Sequence, residues 1–157
     1  MHELHQRHPL RPLATLLLMR TRMSEPTIEQ FMTRAPHTIG HQQTLAAAHR
    51  LMQACGIRHL PVREARRLTG IVSQRDLFMI EALGGIDPEQ VKVSEAMTQD
   101  PFTVAPTAPV REVAAQMAEH KYGCAVVVDK DHVIGVFTTV DAMRALSELL
   151  EVLRPTR

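Results

Sequence analysis

Aromatic residues and cysteines are scarce in this 157-residue chain, and each shortage excludes a class of protein. Only 3% of the residues are aromatic, with one Tyr and no Trp, so we expect a core that is aliphatic and rich in methionine. The two cysteines, Cys55 and Cys124, are too few for the disulfide framework of a small secreted domain. We therefore expect a cytoplasmic protein.

Long apolar segments are missing as well. The run at residues 13–19 is interrupted by Thr15 and is far shorter than the ~20 residues that cross a bilayer. It is followed by Arg20-Thr21-Arg22 instead of a small-x-small cleavage site, which argues against a secretory signal peptide. We expect no interaction with a membrane.

Charge and motif content restrict the function further. Residues 1–22 carry four arginines and one acidic residue, Glu3, so the net charge of +1 leaves the rest of the chain slightly acidic. A slightly acidic body argues against nucleic acid as a partner. The sequence has no nucleophile elbow, no phosphate-binding glycine–lysine loop and no metal-binding histidine pair. We predict that the protein is not an enzyme and has no cofactor.

The sequence does contain an internal repeat. A shift of 65 residues aligns residues 28–76 with residues 93–141 without a gap. The identical pairs fall at turns, and elsewhere apolar residues replace apolar residues. The clearest match is GIVSQRD, residues 70–76, which returns as GVFTTVD at residues 135–141.

Each repeat predicts the order β-α-β-β-α. An amphipathic helix follows the first strand; Gly56 is expected to end it in repeat 1, and Pro109 to start it in repeat 2. Charged turns at 64–67 and 129–132 separate two β-branched runs, and a last helix begins after Ser73 or Thr138. The predicted strands are residues 37–39, 60–62, 68–72, 102–104, 125–128 and 133–137.

One repeat of about 50 residues is too small to bury a stable core, so we expect the two to pack face to face as an α+β fold. The glycine-containing joint at residues 84–88 separates them. The expected organisation is a disordered N-terminal extension at 1–22, repeat 1 at 23–84, a linker at 85–92, repeat 2 at 93–150 and a tail at 151–157.

The motifs Met-Thr-x-x-Pro-x-Thr, Ile-Arg-His-Leu-Pro-Val and Gly-Ile-Val-Ser-x-x-Asp-Leu, in this order, resemble the cystathionine-β-synthase (CBS) domain. Two such domains in tandem resemble a Bateman module, and the resemblance covers residues 28–143. It implies a regulatory module of two pseudo-symmetric β-α-β-β-α repeats. Such modules sense adenosine-containing ligands (AMP, ADP, ATP or S-adenosylmethionine) in clefts between the repeats and pass the occupancy to a regulated partner.

The repeated Gly-x-x-Ser/Thr-x-x-Asp motif suits such a ligand chemically. A carboxylate can accept hydrogen bonds from both ribose hydroxyls, so Asp76 and Asp141 suit the sugar. Ser73 and Thr138 stand at a helix start, where a hydroxyl and free backbone N–H groups can meet a phosphate. The alternative is that both motifs are helix N-caps without a ligand.

Other candidates follow from the resemblance. Basic residues at the positions of Arg58 and His59 reach phosphates in nucleotide-binding members, whereas repeat 2 has Gly123 and Cys124 there. The alternative is a strand edge that carries basic residues for solubility. The candidate ligand-binding residues are Thr38, Arg58, His59, Ser73, Arg75, Asp76, Thr103, Gly123, Cys124, Thr138 and Asp141.

Three further hypotheses concern partners. Cys55-x-x-x-His59 and His120-x-x-x-Cys124 occupy matching positions and could hold zinc, although core packing is the simpler interpretation.

The resemblance implies a disc-like homodimer, and apolar residues late in the chain recur at helical spacing, which would suit the dimer interface. These residues are Met143, Leu146, Leu149, Leu150 and Leu153. The alternative function is a structural adaptor whose clefts stay empty.

Overall fold

The computed structural model describes residues 24–152. The expected N-terminal extension at 1–22, the spaced histidines His2, His5 and His8, and Leu153 lie outside these residues. Within the described part no helix is both long and apolar enough to cross a membrane.

The described residues form short helices and strands that alternate in two successive series. The helices are α1 (Leu45–Cys55), α2 (Gln74–Glu81), α3 (Val93–Ala96), α4 (Val110–His120) and α5 (Thr139–Val152), with a 3-10 helix at Ile28–Gln30. The strands are β1 (Thr33–Arg34), β2 (Ile39–Gly40), β3 (His59–Glu64), β4 (Arg67–Ser73), β5 (Thr98–Gln99), β6 (Thr103–Val104), β7 (Cys124–Asp129) and β8 (His132–Thr138).

The strands form two four-stranded sheets, ordered β2-β3-β4-β5 and β1-β8-β7-β6. In each sheet the first long strand pairs in parallel with the short strand that precedes the helix and antiparallel with its hairpin partner. The α+β class and the two pseudo-symmetric repeats are therefore confirmed. Each sheet is completed by an antiparallel edge strand that starts the other repeat.

This exchange of the first segments was not predicted. The first segment of repeat 1 places Ile28 and Met32 in the core of repeat 2, and the first segment of repeat 2 places Val93 in the core of repeat 1. Burying these apolar side chains in the opposite core stabilises the pair through the hydrophobic effect. Each repeat therefore holds part of the other's core.

The helix ends follow the sequence signals. Gly56 adopts the left-handed conformation with φ of 63° directly after α1, and Pro109 is the N-cap of α4. The buried positions of α1 are Leu45, Ala48 and Met52, while Cys55, expected on the same face, is only half-buried. It stands in the last turn of the helix.

The hairpin turns are tighter than predicted. Two residues connect the strands in each repeat, at 65–66 and at 130–131, so β3, β4, β7 and β8 extend beyond the predicted apolar runs. The first strands, in contrast, are shorter than predicted and span two residues each. Hydrogen bonds thus continue through polar residues at the hairpin ends, which a count of apolar residues does not detect.

Candidate functional site

An open cleft of about 1270 Å³ lies between the two repeats and is lined by residues of both. Repeat 1 contributes Arg58, His59, Ser73, Arg75 and Asp76, and repeat 2 contributes Thr103, Gly123 and Cys124. Eight of the predicted site residues are therefore brought together around one space. Thr38, Thr138 and Asp141 lie elsewhere.

Strand register explains how residues far apart in the sequence meet in the cleft. His59 starts β3 and stands opposite Ser73, the last residue of β4. The backbone N–H of Gln74 also donates to the carbonyl of Arg58 at 2.9 Å, which ties the start of α2 to the start of β3. Repeat 2 repeats the arrangement, with Cys124 opposite Thr138 and Thr139 N–H donating to Gly123.

Asp76 caps α2 and keeps one carboxylate oxygen open. Its Oδ2 accepts from the backbone N–H of Ser73 and from the Ser73 hydroxyl, both at 2.7 Å. The Ser73 hydroxyl oxygen in turn accepts from Asp76 N–H at 3.3 Å, which completes a capping box. Oδ1 takes no hydrogen bond from the described residues, so it can accept from a ligand in the cleft.

Asp141 forms the same cap but is enclosed. Its Oδ2 accepts from the Thr138 N–H at 2.9 Å and from the Thr138 hydroxyl at 2.7 Å. Its Oδ1 lies 3.4 Å from the Thr33 hydroxyl and 3.2 Å from Arg144 Nη1. With 2% of its surface exposed, Asp141 is a buried carboxylate with partners at both oxygens.

Thr38 is separated from the other candidates. It lines a shallow depression of about 410 Å³ together with residues of the β2–α1 connection and the β3 end, whereas its counterpart Thr103 lines the large cleft. The predicted equivalence of Thr38 and Thr103 therefore does not extend to their surroundings.

The electrostatics of His59 follow from its burial in the lining of the cleft. Burial lowers its pKa from the usual value, the neighbouring Arg58 and Arg75 lower it as well, and Asp76 acts in the opposite direction. The imidazole is therefore neutral near pH 7. A phosphate placed beside it would favour its protonated form.

The surroundings of Cys124 keep its thiol protonated. Burial, together with the nearby negative charge of Asp141, raises the pKa of the thiol to about 12. Its Sγ–H donates to the Ala125 carbonyl at 3.5 Å. Among residues 24–152, no three His, Cys, Asp or Glu side chains are grouped so that they could hold a metal ion.

Aromatic residues form a wall of the cleft that the sequence analysis missed. Phe78, Phe102 and Tyr122, three of the chain's five aromatic residues, line it. The rings of Phe102 and Tyr122 stack at a centroid distance of 5.2 Å and an angle of 27°, and His120 stacks on Tyr122 at 5.3 Å. The sequence could have indicated two of them, because Phe102 and Tyr122 directly precede the candidate site residues Thr103 and Gly123.

Lys121 also reaches the cleft without having been predicted. It ends α4 in the left-handed conformation with φ of 58°, at the position that Gly56 occupies in repeat 1. Left-handed backbone is unfavourable for a residue with a side chain, whereas glycine adopts it freely. Because position 121 is lysine and not glycine, the lining of the cleft includes a third cation in addition to Arg58 and Arg75.

The family model of the CBS domain matches residues 28–82 and 93–148. The chain belongs to the CBS domain family. Both matched segments coincide with the repeats that the self-alignment identified, and the identity of the motifs is thereby confirmed. The chain thus carries two CBS domains in tandem.

Solved CBS pairs have the same fold. A Vibrio cholerae protein assigned to acetoin utilization (AcuB) is 38% identical and covers 85% of this chain and 99% of its own, with a TM-score of 0.74. The CBS pair of protein MJ0100, in complex with 5′-methylthioadenosine and S-adenosyl-L-methionine, is 23% identical with a TM-score of 0.73 and covers 80% and 99%. CBSX2 of Arabidopsis thaliana, in complex with AMP, is 24% identical with a TM-score of 0.69 and covers 79% and 98%.

Several curated relatives are much longer than this chain. It is 34% identical to inosine-5′-monophosphate dehydrogenase of Korarchaeum cryptofilum over 114 residues, which is 23% of that enzyme. The match to homoserine O-acetyltransferase of Methanococcus vannielii likewise spans 23% of the relative. The similarity is thus to the CBS segment within these enzymes and covers less than a quarter of either.

Proposed function

We propose that this CBS pair is a regulatory module that binds an adenosine-containing nucleotide in the cleft of Asp76. The observation that carries the proposal is the open Oδ1 of Asp76, in a cleft that also holds Arg58, His59 and Arg75. A carboxylate acceptor beside several cations matches a ribose that carries phosphate. The MJ0100 and CBSX2 pairs, which bind adenosine-containing ligands, support the same ligand class.

The cleft offers each part of such a ligand a suitable surface. Asp76 Oδ1 would accept from the ribose hydroxyls, and Arg58 with Arg75 would bind the phosphate oxygens. The stacked rings of Phe102 and Tyr122 would supply an apolar, planar surface for the base. Tyr122 is 41% exposed, so a base packed on it would remove apolar surface from water.

Regulation would follow from the position of the cleft between the two repeats. Its walls come from both repeats, so a ligand that fills it favours one relative orientation of the two. A partner protein that binds one orientation better than the other would then respond to the ligand. The chain would act in the cytoplasm, without catalysis and without a bound cofactor.

Two such modules would pair through their helices into a homodimer. Large apolar side chains are exposed on α2 and α5, where a second copy of the chain could cover them. They are Phe78, Met79, Val140, Met143, Leu146 and Leu150. Leu149, also predicted for this interface, is half-buried.

A structural adaptor with empty clefts is the second candidate. The observation in its favour is that both capping boxes explain the Ser/Thr-x-x-Asp motifs without any ligand. An adaptor would keep the same fold and dimer surface. It would gain no stability from nucleotides.

Thermal unfolding with AMP, ADP, ATP, S-adenosylmethionine and 5′-methylthioadenosine, each separately, tests the proposal. A ligand at ~100 times its dissociation constant raises the Tm of a chain of this size by about 5 to 10 °C. Asp76→Asn should abolish the rise, because the amide replaces one acceptor oxygen with a donor. Asp131→Asn, at a hairpin tip, is the control and should keep it. No rise with any ligand favours the adaptor.

A further inference from the structure

The two Ser/Thr-x-x-Asp turns are equivalent in sequence but differ in what lies beyond the cap. In both, one carboxylate oxygen accepts the N–H and hydroxyl of the Ser or Thr three residues earlier. The other oxygen is open at Asp76, whereas at Asp141 it lies within hydrogen-bond reach of Thr33 and Arg144. The two carboxylates therefore have different numbers of sites left for a ligand.

A single sequence difference accounts for much of this inequality. Thr33 has an identical counterpart, Thr98, which lines the Asp76 cleft without a hydrogen bond to Asp76. Arg144 has Met79 as its counterpart, three residues after Asp76, and a thioether cannot donate to a carboxylate. Repeat 2 thus carries a cation where repeat 1 carries an apolar side chain.

The partner of Asp141 also belongs to an exchanged segment. Thr33 is the first residue of β1, the edge strand that repeat 1 gives to the sheet of repeat 2, where it pairs with Val136. The contact with Asp141 joins two residues that are 108 positions apart in the sequence. It therefore links β1, the first strand of repeat 1, to α5, the last helix of repeat 2.

We propose that Asp141 is a structural latch that fastens the exchanged β1 segment to repeat 2, and that Asp76 alone of the two motif aspartates binds ligand. The stoichiometry is then one nucleotide per chain. This stoichiometry rests on the proposed function, whereas the latch does not. The two statements can fail separately, and the experiments below distinguish them.

Matched alanine variants test the latch by thermal unfolding without ligand. Asp76→Ala and Asp141→Ala each remove a helix cap, but only Asp141→Ala also removes a contact with β1. We expect its Tm to fall about 2–4 °C further than that of Asp76→Ala. Equal falls would contradict the latch. If Asp141→Ala does not fold, Thr33→Val should lower the Tm and Thr98→Val should not, and equal effects of this pair would count against the latch as well.

Isothermal titration with AMP, ADP, ATP and S-adenosylmethionine tests the stoichiometry. We expect one ligand per chain, with affinity at least tenfold weaker in Asp76→Ala. Two ligands per wild-type chain would overturn the assignment of Asp141. No binding by the wild type would reject the proposed function and leave the latch to the unfolding experiment.

The reverse exchange tests the role of the cation. Met79→Arg places a guanidinium three residues after Asp76, where it can occupy Oδ1 as Arg144 does at Asp141. We expect nucleotide affinity to fall at least threefold relative to Met79→Gln, the neutral polar control. Equal affinities of the two variants would show that a cation at this position does not decide which aspartate accepts ligand, and would overturn that part of the argument.

Discussion

The imidazole of His59 lies directly against the α-carbon of Gly123, across the boundary between the repeats. A Cβ at position 123 would come within 2.8 Å of His59 Nε2 and 3.3 Å of His59 Cε1. Position 123 is the counterpart of Arg58, so glycine here lets one repeat make room for a cleft residue of the other.

We predict that Gly123→Ala weakens nucleotide binding several-fold while the chain stays folded. The added methyl group must push the His59 ring from its place in the cleft lining, which disturbs the side of the cleft that we propose binds phosphate. Titration with the nucleotide that stabilises the wild type measures the effect. Gly84→Ala is the control, because no atom lies within 4 Å of the added Cβ. Unchanged affinity in Gly123→Ala would show that His59 is not needed in this position.

The pKa of His59 predicts how stability depends on pH. Because burial, assisted by Arg58, lowers this pKa in the folded protein, the unfolded chain binds the proton more readily. The stability that neutral His59 contributes is therefore complete above pH 6.5 and is lost as the pH falls through the lowered pKa. We expect the Tm to fall less between pH 7.5 and 5 in His59→Gln than in the wild type. An equal fall in Tm with pH in both proteins would contradict a lowered pKa of His59 in the folded state.

The raised pKa of Cys124 predicts an unreactive thiol. With the pKa at about 12, almost none of the buried thiol is ionised at pH 8. In a Cys55→Ser variant, a thiol reagent such as a disulfide dye should label Cys124 only after denaturation. Rapid labelling of the folded variant would mean that the thiol ionises and is accessible in the cleft. The complementary Cys124→Ser variant reports the half-buried Cys55.

Gly70 and Gly135 predict how closely the exchanged segments pack. A Cβ at Gly70 would lie 2.6 Å from Met97 Sδ and 2.8 Å from the Thr98 carbonyl oxygen. At Gly135 the corresponding distances are 2.5 Å to Met32 Sδ and 3.2 Å to the Thr33 carbonyl. A methionine can rotate away, but a paired backbone carbonyl cannot.

Urea unfolding should therefore show Gly70→Ala to be destabilised by about 1–3 kcal/mol, and Gly135→Ala by less. Gly40→Ala, where the nearest atom is the flexible Gln43 side chain at 3.3 Å, is the mild control. The reverse order for Gly70 and Gly135 would indicate that the methionine contact, and not the carbonyl, limits the space.

The repeat, the order of its elements and the caps were readable from the sequence because each depends on neighbouring residues. Gly56 ends α1, Pro109 precedes α4, and Ser73 with Asp76 caps α2 through contacts within four residues. Such contacts are the same in any chain with that local pattern. The apolar periodicity likewise located both helix faces, with Cys55 at the helix end as the exception.

The exchange of β1 and β5 was decided by tertiary structure. The two repeats are so alike that each edge strand meets an equivalent glycine-containing strand, β4 or β8, whichever sheet it joins. Local pattern does not distinguish the two pairings, because both bury a methionine and satisfy the same backbone groups. The choice depends on how the chain packs over long sequence distances.

The candidate site likewise has features that depend on neighbouring residues and features that depend on tertiary structure. Its motif residues could be named from the sequence, because the capping turn that holds Asp76 and Asp141 is local. Which aspartate faces an open cleft was set by Thr33 and Arg144 around Asp141, one of them 108 residues away. The aromatic wall also arose from packing between elements. Sequence thus determined two like turns and the difference between Arg144 and Met79 beside them, and the fold, by bringing Thr33 to Asp141, completed the chemical difference.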